Sequence, residues 1–597
     1  MSPSPQQIQK HNKLLKQIQE IYALYQKGQL TQSQSQITRL LAKEPKSSHV
    51  QTLASMICAG VGEHDRALYH AQTAVGLDAS NADAQSTLAS LHALNKDHEQ
   101  ARRHYELALK ATPSHPGALS GLGNTLSQLG EYAHARTVLK QVHDLMPDLP
   151  DPLVNRALLE LDTTHAHRAI EILESAPQRI RKHPGLLDLR ALAYSYDDTK
   201  SPEQVYQAHK DYGDELEKHI PPHRHTSLDL DPDRKLKIGY LSGDLHRHSI
   251  TYFLEPILQC TDSGSFETHV FTTSAHRDEV TERLDECADH WHDCSTKPAQ
   301  ELSKYIKDQQ IDILVELAGH FAGHKLSVFA SKPAPVQITF IGYGNTTGLS
   351  RIDARFVDEI TDPTPAADPL ATEQLIRLPG CFLCYRPPAC MPAIREPDED
   401  RPITIGSFNN LKKLSDSTIK VWVRILEQRP DTRLMIKSSK LANSEFKDEL
   451  LQRFSVLGID ESRLDLRGFS ETTEAHLDTY NDLDLALDTF PYTGTTTTCE
   501  ALSMGVPVLT LLGNAHAGRV SASLLSAVGS KDLIAETESD YISRAIELID
   551  EGWRSAQQRE EIRSQMLGSS LCEQEPYTRK VLDAYRTLWT RLCTRSL

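Results

Sequence analysis

Along the first third of the chain, apolar positions recur with a helical period, and the helices they predict recur in turn. Ala67, Ala101, Ala135 and Ala169 stand 34 residues apart, in the frames DRALYHAQTAV, EQARRHYELAL, AHARTVLKQVH and HRAIEILESAP. A second phase carries Gly28, Gly62 and Gly130, with Lys96 in the remaining slot; a third carries Pro45, Pro113 and Pro147, with Ala79 in its slot. A small Ala lets the second helix of a pair approach the first, Gly closes the turn between them, and Pro ends the second helix. The spacing predicts four helix–turn–helix units over 49–183, a weaker one over 15–48 and a decayed one over 185–215. Stacked pairs of this kind build a superhelix whose concave face suits an extended peptide.

Around 219–234, HIPPHRHTSLDLDPDR, the helical register stops at paired prolines, and short apolar runs take over. KLKIGYLS (235–242), THVFTTS (268–274), IDILVELAG (311–319) and PVQITFIGY (335–343) read as strands with helical stretches between them. A second series, PITIGSFN (402–409), TRLMIKSS (432–439), LDLALDTF (483–490) and VPVLTLLG (506–513), follows the short acidic joint REPDEDRP. This alternation predicts βαβ units and parallel sheets. The expected organisation is a repeat superhelix over 1–215, a linker over 216–234, and two doubly wound halves over 235–395 and 401–597. Such halves bind ligands at the carboxyl ends of their strands. Neither contains GxGxxG, which argues against a nicotinamide dehydrogenase.

Composition narrows the partners. With 64 Lys+Arg against 81 Asp+Glu, the 597-residue chain carries a net charge of −17. It is a poor general binder of nucleic acid, because neutralising phosphates supplies that affinity. No run of about 18 apolar residues predicts a membrane span. Ten cysteines are too sparse for a disulfide framework, and with no signal-peptide pattern at the start they point to a reduced, cytoplasmic protein.

The chemistry concentrates where predicted strands meet helices. In LDTFPYTGTTTTCEALSMGVPVLTL, a buried strand ends at Phe490 and Thr495, Thr496, Thr497 and Thr498 open a helix. β-Branched residues suit a helix start, where hydroxyls and free backbone N–H groups can face an anion, better than its interior. Glu500, inside that helix, can hold a ribose through its carboxylate. IGSFNNLKKLSDSTIKVW repeats the strand–loop–helix form, with Ser407, Asn409 and Asn410 leaving the strand, Lys412 and Lys413 following, and Ser415 as helix cap. A lysine beside a helix start is a natural diphosphate clamp. In the first half, His246 and His248 follow a strand, where an imidazole suits acid–base work on an acceptor hydroxyl. Glu316, His320 and His324 follow another, ahead of the Gly-rich loop GYGNTTG.

On these motifs the chain resembles a known family. IDILVELAGH, KPAPVQITFIGYGNTTG, LIRLPGCFLCY, GSFNNLKKLS and DTFPYTGTTTTCEALSMGVPV are similar to the catalytic region of the protein O-GlcNAc transferase / SPINDLY family, the last three closer to its SPINDLY branch. The repeats ahead of them resemble tetratricopeptide repeats. The resemblance implies a GT-B fold and metal-independent, inverting transfer of a sugar from a nucleotide donor to protein Ser or Thr, with no cofactor. The donor implied is UDP-GlcNAc, with GDP-fucose as the SPINDLY alternative; a third reading is a repeat scaffold whose transferase half only binds nucleotide. It also implies site roles: Lys413 at the diphosphate, Asn410 and His476 beside the nucleotide, Thr496 and Thr497 at the phosphates, Thr495 on the donor side in place of the animal His just before them, Glu500 in place of an Asp at the ribose, and His248 near acceptor and sugar. Gly344 replaces a Pro that is frequent in the family, which predicts a looser loop.

Four signals point elsewhere and are discounted. Cys287, His290, His292 and Cys294 form CxxHxHxC, zinc-capable atoms in what reads as a variable connection. Cys381 and Cys384 form a lone CxxC. Cys499, in the Thr-rich helix start, reads as a packed thiol. DLDLALD (482–488) alternates along a buried strand and does not read as an acidic metal pair, so no metal is expected.

Overall fold

The computed structural model describes residues 5–226, 228–398, 400–552 and 555–595. The chain divides into two compact units, 1–159 and 160–597.

The first unit is a stack of helix pairs: Pro5–Gln26 with Leu30–Lys43, Ser48–Gly60 with His64–Leu77, Ala82–Leu94 with His98–Ala111, and Pro116–Leu129 with Tyr132–Leu145. The repeat phases have direct structural causes. Ala67, Ala101 and Ala135 are fully buried at the helix crossings. The turn slot requires a left-handed residue: Gly28, Gly62 and Gly130 have φ of 72°, 81° and 81°, and the same slot holds Lys96 at 60°. One repeat further on, in the second unit, Thr164 sits at 68°. A fourth phase, unread in the sequence, caps the first helix of each pair. Ser47, Asn81 and His115, also 34 apart, accept the N–H groups of Val50, Ala84 and Ala118.

The second unit holds two all-parallel sheets. In the first, β1 (Leu236–Ser242), β2 (Phe266–Thr272), β3 (His290–Asp293), β4 (Ile313–Glu316), β5 (Val336–Thr339), β6 (Ala354–Val357) and β7 (Gln374–Arg377) lie in the order β3-β2-β1-β4-β5-β6-β7. In the second, β8 (Ile403–Ser407), β9 (Thr432–Lys437), β10 (Leu464–Arg467), β11 (Leu485–Leu487), β12 (Val508–Leu511) and β13 (Ile534–Ala535) lie in the order β10-β9-β8-β11-β12-β13. Strand order reverses beside β1 and beside β8, which opens a crevice at the carboxyl ends of those strands. All eight strands expected from the sequence are present. The five it missed are short, and β3, β7, β10 and β13 lie at or next to sheet edges, where side chains are not the continuous apolar run of a buried parallel strand.

Two helical elements tie this unit together. The last helix, Gln574–Arg595, returns from the second sheet to the first: Thr578 Oγ1 donates to the Pro256 carbonyl, and Trp589 Nε1 to that of Asp231. The pair Pro184–Tyr194 and Pro202–His219 packs on the Gly-rich loop. A Cβ on Gly213 would stand 1.8 Å from the Gly348 carbonyl oxygen, so the helix lies directly on the loop backbone. Asp188 accepts from His320 and His324 at 2.6 and 3.1 Å, and Glu316 accepts the Ala318 and Gly319 N–H groups. These acidic and histidine side chains therefore brace the fold. Gly344 does not loosen its loop as expected. It is buried, and a Cβ there would meet the Tyr492 hydroxyl at 2.9 Å and Ala517 at 3.1 Å, so its role is close approach.

The positive-φ slot makes a paired prediction. Gly62→Ala is expected to destabilise the protein by about 1 kcal/mol through the left-handed backbone. Gly76→Ala, in a helix with open space around it, is expected to stabilise by about 0.5–1 kcal/mol. Urea denaturation of both variants checks the opposite signs.

Candidate functional site

Three loops at the carboxyl ends of β1, β8 and β11 build the site. After β8, Asn409 is buried and Asn410 exposed; Asn410 caps the single turn Leu411–Lys413 by accepting the Lys412 N–H at 3.1 Å. Ser415 then caps the helix Asp416–Gln428, and both Ser415 Oγ and Thr418 Oγ1 donate to the Phe490 carbonyl, at 2.6 and 2.8 Å. The β8 loop is thereby fastened to the loop that follows β11. Lys413 spans the gap: Nζ donates to the Thr493 carbonyl at 2.7 Å and lies 4.4 Å from the centre of the Tyr492 ring. Burial lowers its ammonium to about 8, with Asp488 opposing.

After β11, Asp488 organises the turn into the Thr-rich helix. Oδ1 accepts from Asn409 Nδ2 at 2.8 Å and from the N–H groups of Thr489 and Gly494 at 2.9 and 2.7 Å; Oδ2 accepts from Thr510 Oγ1 at 2.8 Å. The helix Thr496–Ser503 starts with no side-chain cap from Thr495, so its first N–H groups face the crevice with their partial positive charge. The four threonines divide. Thr497 Oγ1 donates to Asn409 Oδ1 and Thr498 pairs with Ser521, which makes these two structural. Among the described residues, no protein hydrogen bond engages the hydroxyls of Thr495 or Thr496.

Glu500 lies one turn in, buried, and is already partnered. It accepts from Tyr480 at 3.2 Å and from His476 Nε2 at 3.1 Å, while His476 Nδ1 meets Lys437 Nζ at 2.6 Å. The ammonium can only donate, so Nδ1 accepts and the imidazole proton sits on Nε2, aimed at Glu500. Lys437, the last residue of β9, escaped the sequence reading; its signal is a lysine directly after the apolar run Leu434, Met435 and Ile436.

His248 follows β1, half-buried, with its ring centre 6.1 Å from that of His246; burial lowers its pKa. The helix that follows it, Thr251–Cys260, carries Tyr252. Burial, then the charge of Glu500, pushes the Tyr252 hydroxyl up to about 12.

The discounted signals have structural explanations. Cys499 is fully buried and its thiol is pushed well up by burial. Cys381 and Cys384 are buried. In the DLDLALD segment each carboxylate has its own partner: Asp482 takes Arg467, Asp484 takes Arg401 and the Thr404 N–H, and Asp488 takes the donors above.

A family model described as glycosyl transferase family 41 matches residues 215–386 and 394–581, more than half of the chain. The chain belongs to glycosyl transferase family 41. A tetratricopeptide-repeat model matches residues 80–148. A probable UDP-N-acetylglucosamine–peptide N-acetylglucosaminyltransferase SPINDLY of Solanum lycopersicum is 38% identical over 410 residues, covering 68% of this chain and 44% of that one. The corresponding SEC protein of Arabidopsis thaliana is 25% identical over 375 residues, covering 60% and 38%. The chain thus spans under half the length of these curated relatives. An O-GlcNAc transferase of Thermobaculum terrenum, solved as a point mutant, matches with a TM-score of 0.79 at 31% identity, over 87% of this chain and 99% of that one. The architecture is that of helical repeats ahead of a GT-B fold.

Lys413 gives the site a measurable pH signature. Its charge is present below about 8 and lost above it. Affinity for a nucleoside diphosphate is therefore expected to fall as pH rises through that value, whereas Lys413→Arg, always charged, should flatten the profile. Calorimetric titrations with UDP across the range check this; an unchanged wild-type affinity would exclude Lys413 as the anion's partner.

Proposed function

We propose that this protein is a protein O-glycosyltransferase that moves GlcNAc from UDP-GlcNAc to Ser or Thr hydroxyls of protein acceptors, with inversion and without a metal. The observation that carries this reading is the convergence of Lys413 with the uncapped start of the helix Thr496–Ser503 at neighbouring strand ends. An ammonium and a row of backbone N–H groups are what a departing nucleoside diphosphate needs. In this reading Lys413 and the N–H groups around Thr495, Thr496 and Thr497 stabilise charge on the leaving group. Asn410 and His476 flank the nucleotide, Glu500 holds the ribose from its fixed position against His476, and His248 faces the acceptor hydroxyl from the first half. Aligning acceptor and anomeric carbon supplies much of the remaining rate. The acceptor chain fits the groove of the first unit, about 610 Å³, lined by residues including Tyr22, Leu53, Met56, Leu91 and Leu94.

The names of the relatives support UDP-GlcNAc; the SPINDLY-like motifs make GDP-fucose the donor to test beside it. Nucleotide release from both donors, with mass added to an acceptor protein, decides between them. Release from neither would leave a nucleotide-binding scaffold.

In the same assay Lys413→Ala is expected to cut turnover by about 10²–10³, a barrier increase of roughly 3–4 kcal/mol, with circular dichroism unchanged. Wild-type turnover is expected to survive EDTA. Abolition by EDTA with rescue by Mg²⁺ or Mn²⁺ would overturn the metal-free mechanism.

The repeats carry a separate expectation. Asp162 pairs with Lys412 at 2.6 Å and with Lys440 within the second unit, so a deletion should stop short of it. A chain beginning at Pro150 is expected to keep its affinity for UDP and lose modification of protein acceptors. Equal modification rates for both chains would make the repeats a packing platform.

A further inference from the structure

The outer edge of the first sheet gathers imidazoles that the transferase reading does not use. β2 and β3 are parallel and place His269 beside His290. Glu267, two residues before His269 on the same strand face, joins them: its Oε1 lies 2.9 Å from His269 Nε2 and 3.1 Å from His290 Nε2. The three ligand atoms lie within 4.8 Å of one another. We propose that Glu267, His269 and His290 form a binding site for a divalent transition cation of the zinc class, which clamps edge strand β3 to β2.

The donor set is chemically suited. Two neutral imidazoles and one carboxylate match the nitrogen and oxygen ligands that zinc takes, at about 2.0–2.2 Å each. Atoms held at 2.9–3.1 Å from each other, each about 2.0–2.1 Å from one ion, subtend roughly 90–100° at it. A small rotation of the exposed His290 opens this toward tetrahedral, and water completes the shell from the solvent side. The cation takes the place of the proton that now lies between Oε1 and each Nε2.

A second, independent observation is the orientation of the buried ligand. His269 Nδ1 lies 3.1 Å from His292 Nε2, and His292 Nδ1 lies 3.0 Å from the Tyr305 hydroxyl. With a metal on His269 Nε2, each Nδ1–H donates to the next group along this chain. That is the outer-shell support that fixes the tautomer of metal-bound histidine. Lys237 Nζ, 4.0 Å from Glu267 Oε1, balances the carboxylate now and is half-exposed, free to turn outward when a cation arrives. The local CxxHxHxC pattern contributes His290 as a ligand and His292 as its support, but neither cysteine. Cys294 is buried against the core with its thiol pushed up to about 11, and Cys287 packs on another face.

The competing address is His246, His276 and Asp278. There Asp278 already caps the helix Glu279–Cys287 through Oδ1 and accepts the Arg247 N–H through Oδ2. The edge site lies outside the donor loops, so the proposal stands or falls independently of the transferase reading: a metal-stripped protein keeps turnover and loses only thermal stability.

The test is calorimetric titration of untagged, chelator-stripped full-length protein with zinc chloride, paired with thermal denaturation. One saturable equivalent and a raised Tm are expected. His290→Ala, at an exposed position, is expected to remove that equivalent and the Tm gain while leaving metal-free circular dichroism unchanged. His292→Phe, which keeps the ring stack on Phe271, is expected to weaken zinc about 10–100-fold. No saturable binding by the wild type, unchanged binding by His290→Ala, or loss in His276→Ala but not in His290→Ala would each overturn the proposal.

Discussion

The loops after β8 and β11 take their shape from one buried carboxylate. Asp488 is 2% exposed and stands at the end of β11. A charge there is tolerable only if its lone pairs are used, and they are: two backbone N–H groups, an amide and a hydroxyl converge on it. These donors come from three pieces of the site. Gly494 N–H sets the turn into the Thr-rich helix, Asn409 anchors the β8 loop, and Thr510 fastens β12. Asn409, oriented by Asp488, in turn receives the Thr497 hydroxyl. Asp488 is also the charge that opposes the burial of Lys413. Loop geometry and the electrostatics of the lysine therefore share one origin, a carboxylate that itself faces no ligand.

The same economy explains how the second unit carries its own helical pair. The pair Pro184–Tyr194 and Pro202–His219 can lie on the Gly-rich loop only because Gly213 and Gly348 remove side chains where helix and loop backbones meet. His209 then bonds the Tyr343 hydroxyl at 2.8 Å, and the Tyr492 hydroxyl accepts the Gly344 N–H at 3.3 Å. Tyr492 stacks on Tyr196 and underlies Lys413. A line of contacts thus runs from the last helical pair to the proposed anion clamp. It gives the Gly-rich loop a mechanical role that its composition alone does not reveal.

What the sequence made legible follows from periodicity. The helix pairs were readable because the crossing alanine, the left-handed turn residue and the terminating proline each repeat every 34 residues. Central strands were readable because parallel strands covered on both faces are apolar throughout. Strands such as β3, with the sequence HWHD, carry no such run. Within the candidate site, Lys413, Asn410, Thr495, Thr496, Thr497 and Glu500 stood out because they sit at strand-to-helix junctions, and His476 only through the family resemblance. Their division of labour was not legible. Nothing local says that Thr497 serves Asn409, or that Glu500 is held by His476, because those partners come from elements 24 to 88 residues distant. Asp488 was hidden for a related reason: in sequence it is one more acidic residue in an alternating strand, and only the fold shows what it receives.

The arrangement around Lys413 is also an argument about sequence of events. Its present partners are a backbone carbonyl and an aromatic face, both neutral. The helix start beside it carries free N–H groups and no acidic cap. Positive charge has been collected without a fixed counter-ion in direct contact, and Asp488, which could have supplied one, is saturated by other donors. In the proposed reading, an incoming diphosphate displaces only weak neutral interactions and has no salt bridge to break, so most of the electrostatic gain would remain as binding and as stabilisation of the leaving group. The partial loss of charge that burial imposes on the empty lysine is reversed by that same anion, because an adjacent negative charge favours the protonated ammonium. A site built this way is weakly charged while empty and fully charged when occupied.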